Sequence, residues 1–212
     1  MSRRRTAILI SGRGSNMRSL IEAARAPDFP AEIALVASNR PEAPGLAIAK
    51  QLGLATAAVD HKIYAGREEF EASLQKLLDI HRIEFICLAG FMRMFTAGFV
   101  ERWRGRMINI HPALSPAYPG LHTHERALAD GVKIHGCTVH FVVPGMDEGP
   151  IIAQAAIAVR DDDNAETLAA RVLEQEHTLY PQALRIVASG EYRIDGNRVR
   201  SKLAATDDAH MM

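Results

Sequence analysis

The sequence predicts an α/β fold with a mostly parallel twisted sheet, helices on both faces and a late antiparallel strand pair. Short β-rich runs alternate with longer helical patterns along most of the chain. Most of these runs are apolar throughout, as in strands that are buried on both faces. Two later runs are separated only by a loop, which is too short for the helical crossover of a parallel pair.

In the first half of the chain, predicted helices separate five predicted strands. Residues 6–11 (TAILIS), 32–39 (EIALVASN) and 56–60 (TAAVD) predict the first three strands, and 85–90 (FICLAG) and 106–111 (RMINIH) the next two. The clearest amphipathic helix is predicted over 67–82 (REEFEASLQKLLDIHR). Other helices are expected after residue 15, over 45–53 and around 96–103.

The pattern changes in the second half. Residues 136–143 (GCTVHFVV) and 150–159 (PIIAQAAIAV) predict strands that pair antiparallel. A long helix is expected over about 165–188, with a bend at Pro181. Asp195-Gly196 in YRIDGNRVR is a hairpin-type turn signal.

The composition is that of an ordinary globular protein and gives no sign of a nucleic-acid or membrane partner. Hydrophobic residues make up 48% of the 212 residues, charged residues 24%, and the formal net charge is zero. We see no stretch long enough to span a membrane and no signal-peptide core. Cys87 and Cys137 lie in apolar runs, and we expect both to be reduced, as in a cytoplasmic protein.

Three candidate segments, GRGSN, GFMRMF and NIHPALSP, follow parallel strands, and the carboxyl ends of such strands form the usual ligand crevice. In SGRGSN, the glycines Gly12 and Gly14 allow close backbone approach, and the helix that follows offers N–H groups to a phosphate. The spacing matches neither the dinucleotide motif nor the P-loop. A plain turn is an equally good interpretation of this segment alone.

The segment NIHP places Asn109 and His111 on the same side of a strand end. An amide and a protonated imidazole together form a two-donor site for a developing oxyanion. Asp147, in the turn PGMDEG, would orient the ring if it came within reach. Taken singly, these residues are more often satisfied structural groups or, for the aspartate, a solvated turn residue.

Two other features of the sequence are candidate ligand sites. His122, His124, His135 and His140 could form a metal site, but no ligand motif or acidic cluster accompanies them, and we expect no metal. GFMRMF combines an apolar lip with Arg93, which suits a flat heteroaromatic ligand that carries a carboxylate.

Together, the segments SGRGSN, LAGFMRMF, NIHPALSPAYPGLHTH, HGCTVHFV, DEGPII and EQEHTLYP resemble the phosphoribosylglycinamide formyltransferase family over nearly the whole chain. The resemblance implies a Rossmann-like formyltransferase fold and transfer of the formyl group of 10-formyltetrahydrofolate to glycinamide ribonucleotide in purine (IMP) biosynthesis. It implies one domain over residues 1–200, with a phosphate-binding half to about residue 105 and a catalytic and folate half over about 106–190. Residues 201–212 are expected to form a flexible tail.

The resemblance also implies roles for individual residues. The catalytic residues would be Asn109, His111 and Asp147. Glycinamide ribonucleotide would be bound by Gly14, Ser15, Asn16 and Glu176. The folate would be bound by Asn109, Asp147 and a further set, namely Arg67, Met92, Arg93, Met94, Phe95, Val143, Pro144, Gly145 and Met146. The chain departs from the family pattern at Ala113, Ser115 and Leu173.

Other functions remain open at this stage. A formyltetrahydrofolate deformylase would share the Asn-x-His and Asp residues, as would a methionyl-tRNA formyltransferase. A non-catalytic or redox nucleotide-binding domain would not need all three. We expect small-molecule partners, no nucleic acid, no membrane and a cytoplasmic location, and either a monomer or a homodimer fits the sequence.

Overall fold

The computed structural model describes residues 3–201, in which nine strands and six α-helices follow one another. The strands are β1 (Arg4–Ile10), β2 (Ala31–Ser38), β3 (Thr56–Ala58), β4 (Phe85–Leu88), β5 (Met107–His111), β6 (Ile134–Phe141), β7 (Ile151–Ala158), β8 (Tyr192–Asp195) and β9 (Arg198–Ser201). The helices are α1 (Ser15–Ala23), α2 (Pro44–Gln51), α3 (Arg67–Ile80), α4 (Ala97–Arg102), α5 (Thr123–Ala129) and α6 (Ala165–Ser189).

All nine strands belong to one sheet in the order β3-β2-β1-β4-β5-β6-β7-β9-β8. The first five strands pair in parallel, and β6 then runs antiparallel to both β5 and β7. The predicted hairpin β8–β9 extends the sheet beyond β7. The predicted fold class, a mostly parallel sheet with a late antiparallel pair, is therefore confirmed. Because β1, β4 and β5 are parallel neighbours, the three candidate segments that follow them, GRGSN, GFMRMF and NIHPALSP, meet at one edge of the sheet.

Apolar residues on the two faces of the sheet form two separate core clusters. One cluster joins α1 and α6 to one face, and the other joins α3 and α4 to the opposite face. Tyr180 of α6 is fully buried, and its hydroxyl donates to the Leu88 and Ile108 carbonyls at 2.9 and 3.2 Å. This contact fixes α6 directly behind β4 and β5.

Helix α6 has strong signals at both ends. Asn164 and Thr167 form a capping box at its start, and Gly190 ends it with a φ of 75°. Pro181 lies within the helix, which continues through it. Among residues 3–201, no helix combines the length and the apolar character needed to cross a membrane.

Two elements were not predicted, a 3₁₀ turn over His61–Ile63 and α5. Residues 112–119 contain three prolines and form a loop. The chain becomes helical only after this loop, at α5. His122, with a φ of 58°, makes the left-handed turn into α5. Of the predicted tail, Ser201 belongs to β9, and residues 202–212 lie outside the described part of the chain.

Candidate active site

The end of β5 and the loop after β6 bring together the three residues predicted to be catalytic. Ile108 and Ile110 pack against the α6 face, so alternation directs Asn109 and His111 to the opposite face. Asp147 approaches from the loop, and its Oδ2 lies 3.4 Å from His111 Nδ1. Residues far apart in sequence are thus adjacent in the fold.

His111 is buried, with a relative exposure of 4%, and both of its ring nitrogens face oxygen atoms. Nε2 lies 2.8 Å from the carbonyl oxygen of Tyr118, and Nδ1 faces the Asp147 carboxylate. An imidazolium carries an N–H on each nitrogen, so this arrangement matches the charged ring. The imidazole was predicted to be one of two hydrogen-bond donors to an oxyanion. In this structure its Nε2 is instead paired with the Tyr118 carbonyl oxygen.

His140 completes the cluster, and sequence reasoning considered it only as a metal ligand. It lies directly opposite Asn109 in the β5–β6 pair, and its Nε2 is 3.4 Å from Asn109 Nδ2. The same nitrogen lies 3.6 Å from Asp147 Oδ1. A histidine between Val139 and Phe141 in a predicted strand was the available signal, but only the strand register shows that it lies opposite Asn109.

The Asp147 carboxylate is held between the two rings. Its Oδ2 also accepts the Gly120 N–H at 2.9 Å, and its backbone adopts a φ of 56°, which is uncommon for a residue other than glycine. Burial raises the pKa of Asp147, but hydrogen bonds from His140 and Gly120 and the charge of His111 outweigh burial and lower it overall. The side chain is thus kept anionic between two imidazoles.

These groups open into a pocket of about 570 Å³. All the residues that the resemblance assigned to folate, except Arg67, line this pocket. They are Met92, Arg93, Met94, Phe95, Asn109, Val143, Pro144, Gly145, Met146 and Asp147. The rim is apolar and exposed, with Met92 64% and Leu121 69% accessible. Arg67, exposed at the start of α3, does not line the pocket.

The four residues assigned to glycinamide ribonucleotide lie near the other face of the sheet, at the start of α1 and in the middle of α6. Gly14 has a φ of 73° and precedes Ser15, the first residue of α1. Asn16 Nδ2 donates to Glu176 Oε2 at 2.6 Å, and Asn16 Oδ1 is buried without a partner within residues 3–201. Burial raises the pKa of Glu176, and the Asn16 hydrogen bond partly offsets this.

The glycine loop is supported from behind by α2. The Gly45 N–H donates to the carbonyl oxygen of Gly12 at 3.1 Å. A Cβ on Gly45 would lie 2.4 Å from Ile10 Cδ1 and 2.9 Å from the Gly12 oxygen, so only glycine allows this approach. The position of the loop therefore depends on a close helix contact that the sequence motif does not reveal.

Three further histidines considered as metal ligands, His122, His124 and His135, contact one another or a neighbouring carboxylate. His124 Nδ1 lies 3.2 Å from His135 Nε2, while His122 is exposed and lies 3.5 Å from Glu125. Burial, followed by repulsion from His124, lowers the pKa of His135 to about 4. Within the described residues, no group of three or more His, Cys, Asp or Glu side chains could hold a metal ion.

Comparisons with known proteins show that the chain belongs to the formyl transferase family. The formyl transferase family model matches residues 4–184. Phosphoribosylglycinamide formyltransferase of Escherichia coli is 38% identical over 95% of this chain and 98% of its own length. The crystal structure of phosphoribosylglycinamide formyltransferase from Brucella melitensis is 53% identical, with a TM-score of 0.86 over 89% of this chain and 97% of that one. The trifunctional purine biosynthetic protein adenosine-3 of Drosophila melanogaster is 47% identical over 89% of this chain, which spans only 14% of that protein.

Proposed function

Because the chain belongs to the formyl transferase family, we propose that it transfers the formyl group of 10-formyltetrahydrofolate to the amine of glycinamide ribonucleotide. The product would be N-formylglycinamide ribonucleotide, an intermediate of de novo purine biosynthesis. The observation that carries this proposal is the meeting of Asn109, His111 and Asp147 at one pocket. The names of the full-length relatives support the same substrates.

The proposed reaction is direct acyl transfer between two bound molecules. The substrate amine attacks the formyl carbon, a C–N bond forms, and the formyl oxygen becomes negative in a tetrahedral intermediate. The Asn109 amide and the His111 ring would donate to that oxygen, which is the preorganised stabilisation that acyl transfer requires. His111 must first exchange its hydrogen bond to the Tyr118 carbonyl for one to the substrate.

Collapse of the intermediate breaks the bond from the formyl carbon to N10 of the folate. The attacking amine must lose a proton, and N10 must gain one. Asp147 is suited to assist through a bound water, because its lowered pKa keeps it ionised as an acceptor and it also stabilises the adjacent imidazolium. No covalent enzyme intermediate is needed, so positioning of the two substrates would supply much of the rate acceleration.

The two binding regions suit the two substrates. The apolar rim and the Met92–Phe95 and Val143–Asp147 walls fit a flat pterin with an aromatic extension. Gly14, Ser15 and Asn16, at the start of α1, would bind the phosphate end of the ribonucleotide, and Glu176 its sugar. A role for Arg67 requires that the folate extend beyond the pocket towards α3.

The test is an assay with 10-formyltetrahydrofolate in the presence and absence of glycinamide ribonucleotide. We expect formylated ribonucleotide only when both are present, with rates unchanged by a chelator. Release of formate without the amine would identify a deformylase instead. Binding of either ligand with no turnover would indicate a nucleotide-binding domain, and activity lost to chelation and restored by zinc would indicate a metal site.

A further inference from the structure

One wall of the pocket has no regular secondary structure. Residues 91–96, between β4 and α4, belong to neither a helix nor a strand, and they contribute Met92 to Phe95 to the pocket. We call them the 91–96 segment. Because no strand ladder holds this segment, its position depends on individual side-chain contacts.

Ser11 binds the first end of the 91–96 segment. Its hydroxyl donates to Asn39 Oδ1 at 2.5 Å and accepts the Met92 N–H at 2.8 Å. The Ser11 N–H also donates to the Gly90 carbonyl at 3.0 Å. Ser11 and Asn39 are only 4% and 2% exposed, so water cannot readily replace either partner.

Glu71 of α3 binds the other end. One carboxylate oxygen accepts the Thr96 N–H at 2.6 Å, and the other accepts the Thr96 hydroxyl. Glu71 is 5% exposed, although a carboxylate is rarely buried without a specific partner. Its neighbour Phe70 lies beneath the Arg93 guanidinium, 5.6 Å from the ring centroid, so α3 contacts the segment at two points.

We propose that Ser11 and Glu71 are positioning residues for the folate, which fix the two ends of the 91–96 segment without touching the ligand. Neither residue lines the pocket. This inference rests on the proposed function. Loss of either contact leaves buried donors unpaired and frees one end of the wall, which weakens folate binding equally in the ground state and the transition state.

The test compares Ser11→Ala and Glu71→Gln with the wild type by steady-state kinetics. Ser11→Ala removes both side-chain hydrogen bonds, whereas Glu71→Gln keeps the shape of the side chain but turns an amide NH₂ towards one of the two Thr96 donors. We expect each variant to raise KM for 10-formyltetrahydrofolate about tenfold, with kcat and KM for glycinamide ribonucleotide within about twofold of the wild type.

Gln75→Met is the matched control. Gln75 lies one turn after Glu71 on α3, accepts the Trp103 indole N–H at 2.9 Å and donates to Asp79 at 2.7 Å, so its hydrogen bonds join α3 to the end of α4 and not to the 91–96 segment. We expect this variant to lose thermal stability while its KM for folate stays unchanged.

The outcomes separate this proposal from the proposed function. A wild type without formyl transfer would refute the function itself. An active wild type with unchanged folate KM in both variants would refute the positioning role, as would a Gln75→Met variant with the same rise in KM. Equal loss of affinity for both substrates would indicate general loosening and would also overturn the proposal.

Discussion

Replacement of Asp147 by asparagine is the most direct test of the proposed chemistry, because it removes a charge while keeping the shape of the side chain. The Gly120 N–H can still be accepted by the amide oxygen, so the loop should keep its conformation. The imidazolium of His111 would lose the negative charge that now lies 3.4 Å from its Nδ1. His140 would face an amide instead of a carboxylate.

The magnitude follows from this distance. Two unit charges at 3.4 Å interact by about 5 kcal/mol at an effective dielectric constant of about 20. The Asp147 side chain is 14% exposed, and some solvent screening reduces this figure to about 3 to 5 kcal/mol. If most of this energy stabilises the transition state, kcat falls by roughly 10² to 10⁴-fold. Binding of both substrates should change by less than about threefold, since neither ground state needs the charge.

The assay measures kcat by formation of the formylated ribonucleotide, and calorimetry measures the affinity for each substrate separately. Glu148→Gln is the control, because Glu148 is exposed in the same loop and has no contact with either imidazole. Its kcat should remain within about twofold of the wild type. An Asp147→Asn enzyme with more than about a third of wild-type kcat would refute the electrostatic argument, as would an equal loss in the control.

Three further predictions concern the surroundings of the site. Asn16→Ala should raise KM for glycinamide ribonucleotide about tenfold and leave KM for folate unchanged; equal changes in both constants would contradict the assignment of this region. Gly45→Ala should lower the free energy of unfolding in urea by about 1 to 3 kcal/mol because its Cβ would meet Ile10, whereas Gly98→Ala, in an open helical position, should not destabilise the protein. Because the pKa of His135 falls from 6.5 to about 4 on folding, the unfolded chain binds more protons between these values, so stability is full well above pH 6.5 and falls by about 3 kcal/mol towards pH 4. His135→Gln should reduce this loss in urea titrations at neutral and acidic pH, and an unaltered pH dependence would assign it to other groups.

The order of elements could be predicted from the sequence because strand and helix periodicities differ clearly in most segments. The first and last residues of each element were harder to predict. β1 was predicted from residue 6 but begins at Arg4, which pairs with Ala31 and whose guanidinium donates to the Ala188 carbonyl at 3.1 Å at the end of α6. Such a contact spans most of the chain and leaves no local pattern.

The positions of Asn109 and His111 could likewise be predicted, since both lie on one strand with a period of two. Two features of the site depend on distant pairing and could not. His140 reaches Asn109 through the antiparallel register of β5 and β6, and the Tyr118 carbonyl reaches His111 through the fold of a proline-rich loop. The separate roles of the catalytic and binding residues remain predictions from the resemblance.

The two proposed binding regions lie on different faces of the sheet, and this has a kinetic consequence. Folate would enter beside β5 on the α3 and α4 side, and the ribonucleotide would enter at the start of α1, beside the Asn16–Glu176 contact. Neither route crosses the other before the reacting groups meet at the strand ends. We therefore expect random order of addition, with double-reciprocal plots that intersect and a ternary complex that forms from either binary complex.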